Sequence, residues 1–372
     1  MNLTHKERFN RLFKGLPVDR VPFLDYMGNC NFPSCLARWK KEGLKQDADW
    51  QDIRDMLGFD YVRGFYIDVK LLFYPEFEVK FVKREGNKTF ALNRWGGLEL
   101  QQDGSELMPI TLEGAVKDRY SWDMLKERLQ GGISARFPAN FGEICKEAAQ
   151  SDLPVYIGDL PAGFYGGPRE LCGFETLSYM FYDDPELICE ILDTLCDLWI
   201  KIYSEVQKFV PLDYVFIWED MCGKTGPLIS PDIFQEFLLP RYKKLCSALK
   251  AGGCTNFAVD SDGDTRHLVP LWLEGGVNIV LPWESQFGLN IPDVREQFPA
   301  LGILGALNKY TLEFSRDEMD AELQKVPYML ERGYYIPSLD HGVTNKVSWS
   351  NYCYFYEKLR GLIYKYPPEC LQ

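Results

Sequence analysis

The chain predicts a single α/β domain, a (βα)8 barrel of the TIM type, on three observations. Eight short apolar segments recur along its 372 residues, and from about residue 152 each is followed by a stretch with helical character. A content of 46% hydrophobic and 15% aromatic residues is enough to bury a large core. No Ser/Gly-rich linker or internal repeat divides the chain, so residues 1–372 read as one unit with decorations.

The first element is a helix that Thr4 caps, with Glu7 three residues on as in a capping box and Phe9, Leu12 and Phe13 at helical spacing before Gly15. Residues 21–26 and 58–65, on either side of a helix from Asp49 to Leu57, are the first two expected strands. Between residues 78 and 107 the period changes to alternation around Gly86-Asn87 and Gly96-Gly97, which predicts a small antiparallel insertion. The remaining strands are expected at 155–158, 214–218, 255–259, 277–281, 301–304 and 333–336. Helices are expected from Ser230-Pro231-Asp232 through Leu249 and from Thr265 to Gly275.

A formal charge of −13 argues against an electrostatic nucleic-acid binder, which needs clustered Lys and Arg. Eleven cysteines without a CxxC pair fit neither a disulfide framework nor a Cys-rich zinc module, and point to a reduced, cytoplasmic setting. The charged opening Met1-Asn2-Leu3-Thr4-His5-Lys6 is no signal peptide, and no later stretch has the apolar length of a membrane span. Gly163-Phe164-Tyr165-Gly166-Gly167-Pro168 lacks the Lys-Ser/Thr ending of a P-loop, so no nucleotide is expected.

In a parallel barrel the strand exits carry the chemistry. Here they carry Asp25, Asp159, Glu219, Asp220, Asp260, Asp262, Glu284, Asn308, Lys309, Asp340 and His341. Any one of the acids could simply cap the next helix; as a group they point to one mouth. Glu219, Asp260, Asp262 and His341 are the candidate catalytic residues. Asp25, Tyr26, Phe164, Tyr165, Trp218, Glu284 and Asn308 are the candidate substrate contacts. Asp260, Asp262 and His341 could also hold a divalent ion such as zinc through oxygen and imidazole ligands. Of the three histidines, His5 reads as a solvated helix residue and His267 as a capping one.

Several segments together resemble the uroporphyrinogen decarboxylase superfamily. They are Thr4-His5-Lys6-Glu7-Arg8, Asp19-Arg20-Val21-Pro22, Trp218-Glu219-Asp220-Met221, Ser230-Pro231-Asp232, the Asp260-Gly263 turn, Gly305-Ala306-Leu307-Asn308-Lys309 and Asp340-His341-Gly342-Val343. The resemblance implies a βα barrel, a homodimer, and one of two activities: decarboxylation of a tetrapyrrole's acetate arms, or methyl transfer involving a corrinoid protein. Phe164 and Tyr165 resemble the superfamily's Gly-Pro-Phe loop near substrate.

True decarboxylases of the superfamily carry an arginine-rich signature soon after the first strand's Pro, where this chain has Asp25-Tyr26-Met27-Gly28-Asn29-Cys30. Facing a polycarboxylate with acids costs about 1 kcal/mol or more for each close unscreened pair. Thiol-methylating relatives bind zinc through His-x-Cys where this chain has Asp260 and Asp262, and through a later Cys near Asp340. Both departures direct the resemblance to the remaining half-reaction. In it, a methyl group moves from a small O-, N- or S-methylated donor to a corrinoid carried by a partner protein. A decarboxylase acting on another acid and a non-catalytic ligand-binding barrel are the alternatives.

Overall fold

The computed structural model describes residues 2–28, 31–287 and 290–368; Asn29 and Cys30, part of the stretch compared above, lie outside it. In chain order the strands are β1 (Phe65–Tyr66), β2 (Lys80–Glu85), β3 (Lys88–Leu92), β4 (Leu98–Gln102), β5 (Ile110–Glu113), β6 (Val155–Ile157) and β7 (Tyr214–Trp218). A small hairpin of β8 (Cys222–Gly223) and β9 (Gly226–Pro227) follows, then β10 (Phe257–Asp260), β11 (Ile279–Trp283), β12 (Gly302–Leu307) and β13 (Tyr335–Leu339). A seven-stranded parallel sheet has the order β1-β6-β7-β10-β11-β12-β13, and β2-β3-β4-β5 form a separate antiparallel sheet.

The expected eighth stave is in place but is not a strand. Residues 21–26 join Asp60, ahead of β1, to Ser338 of β13 without forming a ladder: the Asp60 N–H donates to the Phe23 carbonyl (2.9 Å), and side chains make the other bonds. Pro22 has no N–H to give. The Phe23 N–H donates to the Asp60 carboxylate (2.9 Å) and the Tyr26 N–H to the Ser338 hydroxyl (3.1 Å). The sheet therefore curls without closing. Of the expected second strand, residues 58–65, only Phe65 is paired, and the strand continues to Tyr66.

Strand β7 lies where it was expected, while β10 to β13 each begin one or two residues late and run one to three residues further. At the starts of β10 and β11 side-chain amides join the backbone bonds. Asn256 Nδ2 donates to the Asp213 carbonyl (2.9 Å), and Asn278 Oδ1 accepts from the Phe257 N–H (2.8 Å). Asp260 is the last residue of β10 rather than a residue beyond it.

The insertion extends to Glu113 rather than ending at 107, because β5 adds a fourth strand that pairs with β4. All six residues of its edge strand β2 are exposed, and Lys80, Lys83 and Arg84 give that edge the charges that discourage strand addition.

The capping box at Thr4 and Glu7 forms, and Asp49 caps the helix Trp50–Leu57. Ser230 opens a helix as expected, but the chain widens into a π-turn at Phe234–Leu238 before continuing as Leu239–Ala251. Pro240, which has no N–H for the turn before it, lies just after that widening. The helix expected from Thr265 begins only at Val269, since Asp264 is tied to Arg266 in the turn before it. No helix among the described residues is long and apolar enough to cross a membrane.

Candidate active site

At the exit of β7, Glu219 is fully buried, at 0% exposure. Its carboxylate accepts the backbone N–H groups of Phe164 (2.7 Å), Tyr165 (2.6 Å) and Gly166 (2.9 Å), together with the hydroxyl of Tyr242. Burial raises its pKa and the four donated bonds oppose the rise. With both oxygens occupied, Glu219 does not face the cleft as a proton donor; it anchors the loop before the helix Gly166–Cys172.

The glycines of that loop serve the same contact. A Cβ on Gly163 would lie 1.9 Å from the Trp218 carbonyl and 2.7 Å from a Glu219 oxygen, and one on Gly166 would lie 2.4 Å from the Trp218 carbonyl. The close approach is to the neighbouring strand, not to a ligand. Phe164 and Tyr165, expected at the substrate, are buried instead. Phe164 packs against Trp199 and Tyr242, with ring centroids 5.3 and 4.9 Å away.

Three more expected substrate contacts are also engaged by the fold. Asp25 is buried and accepts from the hydroxyls of Tyr352 and Tyr356 (the latter at 2.6 Å) and from Asn31 Nδ2 (3.3 Å), which ties it to the helix Trp349–Lys365. Asn308 accepts from the Tyr310 N–H (2.9 Å) and caps the short 3-10 turn Lys309–Glu313. Glu284 accepts from the Gly263 N–H (2.6 Å) and from Gln286 (2.7 Å), so it holds the Asp260-Gly263 turn in shape. Gly263 needs no side chain there: its φ is +84° and a Cβ would meet the Cys222 backbone at 2.7 Å.

Tyr26 is buried inside the barrel, with the Arg63 guanidinium 5.1 Å from its ring centroid and 5.3 Å from that of Phe216. The rings of Tyr66, Tyr156 and Tyr214 fill the adjoining interior, with successive centroids 5.2 and 4.8 Å apart. Trp218 is half-buried, and the Arg169 guanidinium stacks on it at 4.8 Å.

Asp260, Asp262 and His341 differ from the rest. The Asp260 backbone carbonyl accepts from Glu219 (2.9 Å) and Asp220 (3.1 Å), yet among the described residues no hydrogen bond reaches the carboxylates of Asp260 or Asp262. Burial, and after it the neighbouring Asp262, pushes the Asp260 pKa well above the usual range. Burial, then Asp220, pushes Asp262 up to about 6 although 43% of its side chain is exposed. His341 Nδ1 accepts from the Gly342 N–H (2.8 Å), which leaves the proton of the neutral ring on Nε2, 3.9 Å from Asp262 Oδ2. Burial lowers the pKa of this ring and favours the neutral form.

The expected metal trio does not assemble. Among the described residues no group of three or more His, Cys, Asp or Glu is placed to hold an ion. Asp262 and His341 approach one another without a third donor, and the residues present do not fit a metal centre.

Two strand-exit acids to which sequence alone assigns no particular role also stand at the mouth. Asp220 has a left-handed backbone (φ 44°), and Arg169 clamps it by donating to its carbonyl (2.6 Å) and to Oδ2 (3.0 Å). Asp340 is buried and joins three strand exits. It accepts from the Lys309 N–H (3.0 Å) and from the Ser285 N–H and hydroxyl (both 3.2 Å), and burial pushes its pKa up to about 7. An adjacent motif, Gly305 to Lys309, had signalled the loop; only the fold shows the Arg169 clamp.

Fold and site define a parallel βα barrel with an acid-lined mouth at its strand exits. The sequence pattern of the family Uroporphyrinogen decarboxylase (URO-D) matches residues 162–362, more than half of the chain, and the protein belongs to that family. No curated protein matches it in sequence. Among solved structures it is similar to a methyltransferase from Methanosarcina mazei, with a TM-score of 0.57 and 15% identity over 96% of this chain and 100% of that one. A B12-independent methionine synthase from Shewanella sp. W3-18-1 aligns with a TM-score of 0.42 and 11% identity, over 83% of this chain and 84% of that one.

Proposed function

We propose that the protein is a methyltransferase that moves a methyl group from a small O-, N- or S-methylated donor to a corrinoid carried by a separate protein. The observation that carries this reading is the pair Asp260 and Asp262 at the mouth, free of hydrogen-bond donors and next to a neutral His341. An acid pair of this kind repels the polycarboxylate that a porphyrinogen decarboxylase must hold. Arg169, the cation nearest the pair's neighbour Asp220, is already engaged by that residue.

When bound, the partner's corrinoid supplies the nucleophile. The chain's own residues supply the rest. Asp262, with its pKa near 6, keeps a proton through mildly acidic pH and gives it to the donor's O, N or S as the methyl carbon leaves and the bond pair stays on that atom. His341 carries its proton on the ring edge toward Asp262 and steadies the carboxylate once it is charged. Glu219, Glu284 and Asp340 hold the loops that aim these groups.

Incubating the protein with cob(I)alamin as acceptor and a panel of methoxyarenes, methylamines and methyl thioethers tests the reading. Methyl transfer from at least one class is expected. Transfer from none, or turnover of uroporphyrinogen, would overturn it.

A further inference from the structure

Where β1 and β6 leave the barrel, the insertion folds over the rim and closes a cavity of about 200 Å³. This is smaller than the few hundred Å³ of a drug-sized site, so it suits a small ligand. Tyr66, Asp68 and Asp159 line it from the barrel side, and Arg94 and Trp95, in the turn between β3 and β4, line it from the insertion. The turn is rigidly built. Asn93 Oδ1 accepts the N–H groups of Trp95 (3.0 Å) and Gly97 (2.8 Å), and its amide donates to Glu99 (2.9 Å).

The charges around this cavity are unevenly matched. Lys70 is paired with Glu76 at 3.0 Å. Arg94 stacks on Trp95 at 4.8 Å, and among the described residues no carboxylate lies within ion-pair distance of it. Among the described residues neither Asp68 nor Asp159 has a cation within that distance; the Asp159 carboxylate accepts the Leu160 N–H (2.8 Å) and its backbone carbonyl the Ala162 N–H (2.6 Å). One small cavity thus holds two carboxylates beside a tyrosine ring and, on the facing wall, a guanidinium that does not reach them.

We propose that this cavity seats a small zwitterion, with a methylated ammonium against Asp68, Asp159 and the Tyr66 ring and a carboxylate on Arg94. Carboxylates and an aromatic face suit a cation that carries apolar methyl groups. A fixed guanidinium suits a carboxylate by charge-assisted hydrogen bonds. Asp159 adds to the charge that raises the Asp260 pKa, although neither Asp260 nor Asp262 lines the cavity. Naming that ligand as the methyl donor rests on the proposed function; its binding does not.

Calorimetric titration of the full chain with glycine betaine, choline and acetate separates the contributions. Glycine betaine, which has both charges, is expected to bind about tenfold or more tightly than choline, which lacks the carboxylate, or acetate, which lacks the ammonium. Arg94→Ala is expected to remove that advantage while leaving choline unchanged, and Asp159→Asn, which keeps the acceptor for Leu160, to weaken both. Arg94 is exposed, so its variant should fold, and circular dichroism checks this. Betaine binding no tighter than choline or acetate, or an unchanged affinity in Arg94→Ala, overturns the zwitterion site. Betaine that binds without yielding its methyl group leaves the site standing and removes only its role as donor.

Discussion

The strand-exit acids fall into two sets of the same residue types with opposite surroundings. Glu219, Asp340, Glu284 and Asp25 each accept two to four hydrogen bonds from loops or helices that cross the barrel rim. The carboxylates of Asp260 and Asp262 accept none among the described residues, although they too lie at a strand exit. Carboxylates of the first set are structural anchors: a carboxylate that fills its lone pairs with backbone N–H groups fixes geometry and has nothing left for substrate. Those of the second set bear the cost of burial and of like-charged neighbours with no hydrogen bond to offset it, and Arg63, Lys309 and Arg169 relieve it only in part, a combination that marks functional sites more often than structural ones.

The largest effect should come from the anchored set. Glu219→Ala leaves three backbone N–H groups and the Tyr242 hydroxyl buried without an acceptor and should destabilise the fold by about 3 to 5 kcal/mol. Asp262→Asn should cost no stability, and above pH 6 it should raise it, since it removes a carboxylate whose ionisation the fold disfavours. Urea unfolding midpoints of the two variants test the division directly, and equal losses would dissolve it.

Next in size is the rate. If Asp262 is the proton donor, Asp262→Asn should slow methyl transfer by about a hundredfold or more. Wild-type activity should fall as pH rises through about 6, and the variant should lose that limb. Stability should follow the same group. Its folded pKa is raised from 3.8 to about 6, so the native state holds the extra proton, and stability is full below pH 3.8 and declines as pH rises through about 6. A stability profile without any decline between pH 4 and 6 would remove the shift on which the acid role rests.

How far the sequence foresaw this division depends on what each feature requires. Strand β7 was read residue for residue because five consecutive apolar side chains have no other use than burial. Residues 21–26 misled because their apolar pattern is that of a stave, while Pro22 and the carboxylate of Asp60, far along the chain, decide that the hydrogen bonds go elsewhere. Strand β5 escapes the pattern because it is four residues long and its alternating apolar residues, Ile110 and Leu112, are exposed rather than buried. At the site, residue type placed every acid at an exit but could not say which were bonded. Three of the four donors to Glu219 are backbone groups 53 to 55 residues earlier, and two of the three to Asp25 are tyrosines more than 320 residues later. The glycines of residues 163–167 held the only local hint, and they mark contact with Trp218 rather than with a ligand.

Within the anchored set, Tyr356→Phe should cost about 1 to 2 kcal/mol by removing one of three donors to a buried Asp25, with Tyr352 and Asn31 still in place. A smaller loss than for Glu219→Ala is required, since one donor is withdrawn rather than the acceptor of four.

Asp220 belongs to neither set, and it yields the finest test. Half of its environment is structural, through the Arg169 clamp, and half is the cleft, where its charge helps to raise the pKa of Asp262. Its φ of 44° costs a residue with a Cβ about 1 kcal/mol that glycine does not incur. Asp220→Gly should therefore be more stable than Asp220→Ala by about 1 kcal/mol, since both lose the side-chain half of the clamp, both keep the Arg169 bond to the backbone carbonyl, and only one keeps the strain. Both should also lower the pKa of Asp262 by withdrawing the same negative neighbour, which moves the falling limb of the activity profile to lower pH. Equal stability of the two variants would mean that the backbone relaxes once the bond from Arg169 to Oδ2 is gone, and that this bond, rather than the strand exit, imposes the left-handed turn.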